Sequence, residues 1–184
     1  MKKAEKTRRK IEQTFLRLTL ENNKIANVAE ICSEMDIYRS TFYNYYSNIE
    51  ELINSVGADF TSFLDGIFAS VDTYRDQAKQ AGEEFNFAEV LTPLFPALEK
   101  SMDLFAFFFN PVWNSRYREY IRKKIYNTAL GIFPSATVEN RYIAEFISAG
   151  TIQYLYAHIV NGEKLDADEF QEVWKRVSLL VHSA

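Results

Sequence analysis

The sequence predicts an all-α protein of about nine helices, and three observations carry that prediction. Apolar side chains recur at three- and four-residue intervals through long stretches, the period of one helix face. Only four prolines and six glycines are spread over 184 residues, too few for the many turns of a β-protein. A hydrophobic share of 47% is ample for a packed core at this length.

The first helix is expected over Glu5–Glu21, with Ile11, Phe15 and Leu18 as its buried stripe and Asn22 and Asn23 as its exit. Asn27 is a good N-cap for a second segment, in which Val28, Ile31, Cys32 and Met35 recur at helical spacing. Asp36 falls where the chain must turn and tolerates left-handed backbone better than most residues, while Ile37 can plug the angle between the helices. In the third segment Phe42 and Tyr46, four apart, form the buried pair, which leaves Arg39, Ser40, Thr41, Tyr43 and Asn44 on the outer faces. Two short helices joined by a tight turn, the second crowded with hydroxyls and aromatics, suit a recognition helix presenting its N-terminal residues to a DNA groove.

Asn48, with Glu51 three residues on, caps a long helix carrying Leu52, Ile53, Val56, Phe60, Phe63, Leu64, Ile67 and Val71. The polar stretch Tyr74–Glu84, with Gly82, reads as a loop. Phe85–Lys100 follows, interrupted by Pro93 and Pro96, then Met102–Asn110 and Pro111–Phe133, with Pro111 near a helix start. The final third reads as two helices. Val138–Val160 places Ile143, Phe146, Ile147, Gly150, Tyr154 and Ile159 on an apolar side, and Asp168–His182 does the same with Phe170, Val173, Trp174, Val177, Leu180 and Val181. The break between them contains Gly162 as a C′ residue. No Pro/Gly/Ser-rich linker separates independent parts, so they are expected to pack on each other.

The net charge of −4 is unevenly distributed: Lys2, Lys3, Lys6, Arg8, Arg9 and Lys10 stand against only Glu5 in the first ten residues. A basic arm beside two such helices suits phosphate contacts, whatever the whole-chain balance. A second basic cluster, Arg116, Arg118, Arg122, Lys123 and Lys124, reads as the charged outside of a helix. One cysteine, Cys32, excludes an intramolecular disulfide and a multi-cysteine metal site, and is expected to be a buried small hydrophobe. His158 and His182 have no partner at ligand spacing and are expected at a surface or interface. With no phosphate-cradling glycine loop, nucleophile elbow or paired acidic motif, the expectation is no enzyme, no metal and no cofactor. No segment has the pattern of a signal peptide or the length of a membrane span, so a cytoplasmic protein is expected. The middle of the chain is dense in aromatics, and four phenylalanines within five residues (Phe105, Phe107, Phe108, Phe109) are not expected to face one helix side. Some are therefore expected to line a cavity, an interface or the surface.

The stretch Ile37–Tyr46, followed after Ser47 by Asn48–Ile53, resembles the DNA-binding signature of TetR-family transcriptional regulators. Thr41, Phe42, Tyr43, Tyr45, Tyr46, Glu50, Glu51 and Leu52 match the pattern directly. Three positions depart from it: Asp36 replaces the turn glycine, Tyr38 the small N-cap, and Ile49 the lysine that commonly begins the fourth helix. At the level of pattern, the C-terminal two thirds resemble the regulatory halves of TetR-type proteins from low-GC Gram-positive bacteria, including some linked to dihydroxyacetone metabolism.

The resemblance implies a helix-turn-helix DNA-binding domain over 1–48 and a helical effector-binding and dimerisation domain over 49–184. It further implies a homodimer on palindromic double-stranded operator DNA, acting as a repressor released by a small-molecule effector. Thr41, Tyr43 and Tyr45 would contact phosphates, Arg39 and Asn44 would reach base edges beside Ser40, and Asn27 with Lys6, Arg8 and Arg9 would hold the DNA backbone. Phe63, Phe95, Phe105, Phe108, Trp113 and Tyr117 would line the effector pocket, and Phe146, Gly150, Tyr154, Trp174 and Val177 the dimer interface. The alternative is a co-regulator that keeps the fold and turns a weakened DNA face toward a partner protein.

Overall fold

The computed structural model describes residues 3–82, 99–110, 115–161 and 166–182, the side chains of 115, 116, 160, 161, 167 and 177–182 aside. Eight helices lie among these residues: α1 (Lys3–Glu21), α2 (Val28–Met35), α3 (Arg39–Tyr43), α4 (Ile49–Ala81), α5 (Met102–Phe109), α6 (Ser115–Leu130), α7 (Val138–Asn161) and α8 (Ala167–His182). The expectations placed on Lys2, Glu84, Phe85, Pro93, Phe95, Pro96, Pro111, Trp113 and Gly162, and on the side chains of Arg116, Val177, Leu180, Val181 and His182, lie outside the described residues.

α1 buries Ile11 and Phe15 as their spacing predicts, but Leu16 is the third buried apolar residue and Leu18 is only half-buried. The helix is covered from two directions, by α2 and by α5, so its buried face is wider than one stripe. Its exit is held by Thr19, fully buried, whose hydroxyl accepts the Ala26 N–H at 3.1 Å while Asn23 turns the chain at φ +47.

The loop expected over Tyr74–Glu84 is, up to Ala81, the last two turns of α4. Arg75, Gln77, Ala78, Lys79 and Gln80 are good helix formers, so the polarity marked an exposed helix face. Ala78 is buried there, and Arg75 donates to Asp72 Oδ1 at 2.7 Å and to the Thr128 carbonyl at 3.5 Å, stitching α4 to α6. Gly82, at φ +70, then ends the helix in the left-handed conformation that a C′ glycine adopts without steric cost. Along α4 the inward side chains are Leu52, Val56, Phe60, Leu64, Phe68 and Val71, with Phe63 and Ile67 half-buried beside them.

All four phenylalanines of α5 are buried, Phe107 and Phe108 completely, which corrects the expectation drawn from one-sided helices. α1, α6 and α7 pack around α5, and Phe60 of α4 stacks on Phe108 with centroids 4.7 Å apart and planes at 11°. A helix covered from several directions is apolar over most of its circumference, and Asp103 in the first turn is the exposed exception. Phe15 of α1 meets Phe107 edge-on at 5.4 Å, and a single core cluster runs from Ile11 to Ile152, taking in α4 from Leu52 to Phe68.

α6 ends at Leu130, three residues before the expected Phe133, and its pairing with α7 is the most extensive in the fold. The buried residues on this length of α7 are Ala144, Ser148, Thr151 and Ile152, the first three small enough to admit close approach, so the buried side differs from the expected apolar side. Ile143, Ile147, Tyr154 and Ile159 are half-buried, while Phe146 (69%) and Gly150 are exposed. His158 is buried rather than at the surface, its ring 4.3 Å from that of Tyr154. Tyr154 in turn meets Phe170 of α8 at 5.3 Å, and Phe170 meets Trp174 at 6.0 Å. The second basic cluster is mostly tied down: Arg122 pairs with Glu119 and Glu145, Lys124 with Asp65, and Arg118 lies over the Tyr156 ring at 4.9 Å.

Candidate nucleic-acid interface

Short-range hydrogen bonds set the geometry of the α2–α3 unit. Asn27 Oδ1 accepts the N–H groups of Ala29 (2.9 Å) and Glu30 (3.1 Å), and Glu30 Oε2 accepts the Asn27 N–H at 2.7 Å, a complete capping box. At the other end Asp36 takes φ 51, ψ 51, and the Ile37 N–H returns to the Cys32 carbonyl at 3.0 Å. The left-handed turn that glycine usually supplies is therefore made by Asp36. Half-buried Ile37 packs against the core, and α3 begins two residues later.

α3 is five residues long and has one fully buried side chain, Phe42. Tyr46, just beyond its end, is the second anchor at 3% exposure, and its ring lies 5.9 Å from that of Phe42. With those two inward, Arg39, Ser40, Tyr43 and Asn44 are exposed, as the spacing predicts, whereas Thr41, expected on an outer face, is half-buried, as is Tyr45. Tyr43 keeps 53% exposure while its ring meets Phe42 edge-on at 5.6 Å. Six of the predicted residues thus share one short segment, with the Tyr43 ring braced against Phe42.

Other predicted contacts are differently placed. Asn27 is exposed, but its carbonyl oxygen is committed to the cap. Lys6 and Arg9 are exposed on α1, Arg9 paired with Glu5 at 3.2 Å. Arg8 keeps 43% of its side chain exposed but reaches across to Tyr46 and α4, donating to Glu12, Tyr46, Ser55 and Asp59. Burial first, and the hydrogen bond it donates to Glu12 second, push the Tyr46 hydroxyl up to about 12, so that it is a donor throughout the neutral range.

Tyr38 is the residue whose exposure the spacing obscures. It lies four before Phe42 and eight before Tyr46, which would place it on the buried stripe of a continuous helix. Its backbone is extended at φ −71, ψ 148, its side chain makes no capping hydrogen bond, and the ring is 84% exposed. The signal was the turn itself: a residue outside the helix does not follow the helix period.

At the start of α4 Asn48 Oδ1 accepts the Glu51 N–H at 2.8 Å, as the capping pattern predicts. The Glu51 carboxylate binds Ser47 instead of the cap residue, and the Ser47 hydroxyl and N–H hold it below the usual carboxylate range. Ile49, in place of a lysine, is half-buried against the core. Arg39 is the single cation between Asn27 and Asn48, against Glu30, Glu34 and Asp36, so this segment carries no net positive charge of its own.

Phe105, Phe108 and Tyr117, expected in a pocket, are packed on one another and on Phe60, with Phe108 and Tyr117 centroids 4.2 Å apart. Gly57 makes that packing possible: a Cβ there would lie 2.0 Å from the Tyr117 hydroxyl oxygen. Among the described residues no three His, Cys, Asp or Glu side chains gather as a metal site, and no helix is long and apolar enough to cross a membrane.

No protein-family model and no curated protein matches the chain. Solved structures do. The dihydroxyacetone kinase operon activator DhaS aligns over 96% of this chain and 94% of its own, at TM-score 0.54 and 18% identity. A TetR/AcrR-family transcriptional regulator from Aquifex aeolicus VF5 aligns over 95% of this chain and 99% of its own, at TM-score 0.56 and 18% identity. Near-complete coverage in both directions, at an identity too low to speak of function, establishes the architecture: this chain has the TetR-type fold.

Proposed function

We propose that this protein is a homodimeric DNA-binding transcriptional regulator, a repressor released by a small-molecule effector. The observation that carries this reading is α3 itself, anchored by Phe42 and Tyr46 with Arg39, Ser40, Tyr43 and Asn44 turned outward and Thr41 and Tyr45 at its flanks. A short helix so displayed enters a major groove with Arg39 and Asn44 toward base edges. The hydroxyls of Ser40, Thr41, Tyr43 and Tyr45, with Lys6 and Arg9 of α1, reach phosphates. Dimerisation is supported by an exposed apolar stripe on α7: Val138 (54%), Tyr142 (73%), Phe146 (69%) and Gly150, continued by Val173 (41%) on α8. A symmetric pair of such faces presents two α3 helices to a palindromic site. The effector enters beside half-buried Phe63, parting the ring contacts of Phe105, Phe108 and Tyr117, and respaces the two heads through α4. It acts by binding the DNA-incompetent state more tightly.

Selection of bound duplexes from a random pool, followed by gel shift at several fixed salt concentrations, tests this reading. A palindromic winner is expected, and Thr41→Ala with Tyr43→Ala should weaken binding to it by about tenfold or more while leaving the oligomer folded. Unchanged affinity in that double variant would sink the assignment of α3. One structural neighbour is named an activator, so the sign of regulation is read separately with a reporter gene.

A second reading, a co-regulator that keeps the fold and binds a partner protein, is favoured by uncapped Tyr38, by Ile49 in place of a lysine and by the acidic balance of the α2–α3 unit. It predicts that no duplex is selected above the non-specific background.

A further inference from the structure

Arg8 sits in the basic stretch of α1, yet its guanidinium closes a joint between three parts of the fold. Nε lies 3.1 Å from Glu12 Oε1 and 3.1 Å from the Tyr46 hydroxyl, and Nη2 lies 2.6 Å from Ser55 Oγ and 3.4 Å from Asp59 Oδ2. The Tyr46 hydroxyl donates to the same Glu12 oxygen at 2.5 Å. Arg8 and Glu12 belong to α1, Ser55 and Asp59 to α4, and Tyr46 follows α3 directly, its N–H bonded to the Phe42 carbonyl at 3.1 Å. Because α3 has only Phe42 and Tyr46 as anchors, whatever fixes the Tyr46 ring fixes the tilt of the helix. A planar guanidinium offers donors in several fixed directions at once, which a lysine ammonium on a flexible stem does not reproduce.

We infer that Arg8 is a positioning residue for α3 and makes no phosphate contact: through Tyr46 it sets the attitude of the recognition helix against α4. The inference rests on the DNA-binding reading above. It also gives α4 a route to the DNA face, since Ser55 and Asp59 move with α4 and pull on the guanidinium that holds Tyr46.

The two roles predict opposite results. If Arg8 neutralised a phosphate, Arg8→Lys would bind DNA nearly as wild type does. Arg8→Ala would then lower the salt dependence by about one counterion and weaken specific and random duplexes alike. For a joint, Arg8→Lys and Arg8→Ala both lose about tenfold on the selected duplex, a size usual for coupled neighbouring groups, while random-duplex affinity and the salt slope hold. Ser55→Ala with Asp59→Asn removes a negative charge, which on electrostatics alone strengthens DNA binding; the joint predicts that it weakens specific binding severalfold. All variants are assayed well below their thermal transitions, so lost stability does not imitate the effect. The lysine variant and the α4 pair keep the test open if Arg8→Ala fails to fold. Wild-type affinity in Arg8→Lys, or a reduced salt slope with equal losses on both duplexes in Arg8→Ala, overturns the inference while leaving the DNA reading intact. A wild-type chain that selects no duplex overturns both.

Discussion

α3 and α5 are both short, five and eight residues, and they sit in opposite circumstances. α3 rests on the protein through Phe42 and shows its remaining face outward, whereas α5 is wrapped by neighbours and buries all four of its phenylalanines. Helices this short are marginal alone, so each depends on what holds it. Anchors along one side, Phe42 and Tyr46 beyond the helix end, leave α3 free to present chemistry. Cover from several directions leaves the phenylalanines of α5 only packing to present.

The strongest test of that contrast truncates a ring on each helix. Phe107→Ala, in the completely buried side chain that meets Phe15, should cost about 3–5 kcal/mol of unfolding free energy. Tyr43→Ala, at 53% exposure, should cost no more than roughly 0.5 kcal/mol. Urea unfolding followed by circular dichroism measures both, and comparable losses would break the comparison. A smaller effect is expected at the back of the aromatic stack. Gly57→Ala gains helix propensity but drives a methyl into the Tyr117 hydroxyl 2.0 Å away, in a core with little room to give. The clash should win by about 1–3 kcal/mol, and Tyr117→Phe in the same chain should recover part of the loss. The smallest effect belongs to α3. Tyr38→Ser supplies the side-chain cap that Tyr38 does not make and should raise stability by about 0.5–1 kcal/mol in the same unfolding assay. A loss there would mean that the exposed ring contributes more than a cap would.

Arg8 carries the comparison into the joint between the regions. By composition it belongs with Lys6 and Arg9, yet Lys6 and Arg9 face outward while Arg8 ties α1, Tyr46 and α4 together. Its neighbour in sequence and its neighbours in space therefore suggest different roles. α1 is at once the source of positive charge near α3 and the wall against which α5 packs. The head is continuous with the core behind it, through Phe15 on Phe107 and through the shared length of α4.

The α2–turn–α3 unit was legible because its rules act within a few residues. Asn27 and Glu30 cap locally, Asp36 turns locally, and Phe42 and Tyr46 declare the buried side by their spacing. The same logic located the long helix after Asn48 and the two helices of the final third. It failed where burial depends on how many neighbours arrive. The polar end of α4 resembled a loop, because an exposed helix face and a loop share composition. The phenylalanines of α5 resembled an excess, because one-sided burial was assumed. Leu18, expected on the buried stripe, is only half-buried, and His158, expected at a surface or interface, is buried, for a related reason: spacing names a stripe, and the packing partner decides which edge of it is covered.

By itself, then, the sequence determined the all-α class, the capping and turn of the α2–α3 unit, and the outward set of Arg39, Ser40, Tyr43 and Asn44, since each follows from bonds and periods a few residues long. Only the tertiary structure decided that Arg8 reaches Tyr46 and α4, that all four phenylalanines of α5 are covered, and that Gly57 makes room for Tyr117. Those outcomes depend on helices brought together from distant parts of the chain, where the covering of a side chain is a property of its neighbours and leaves no mark at its own position.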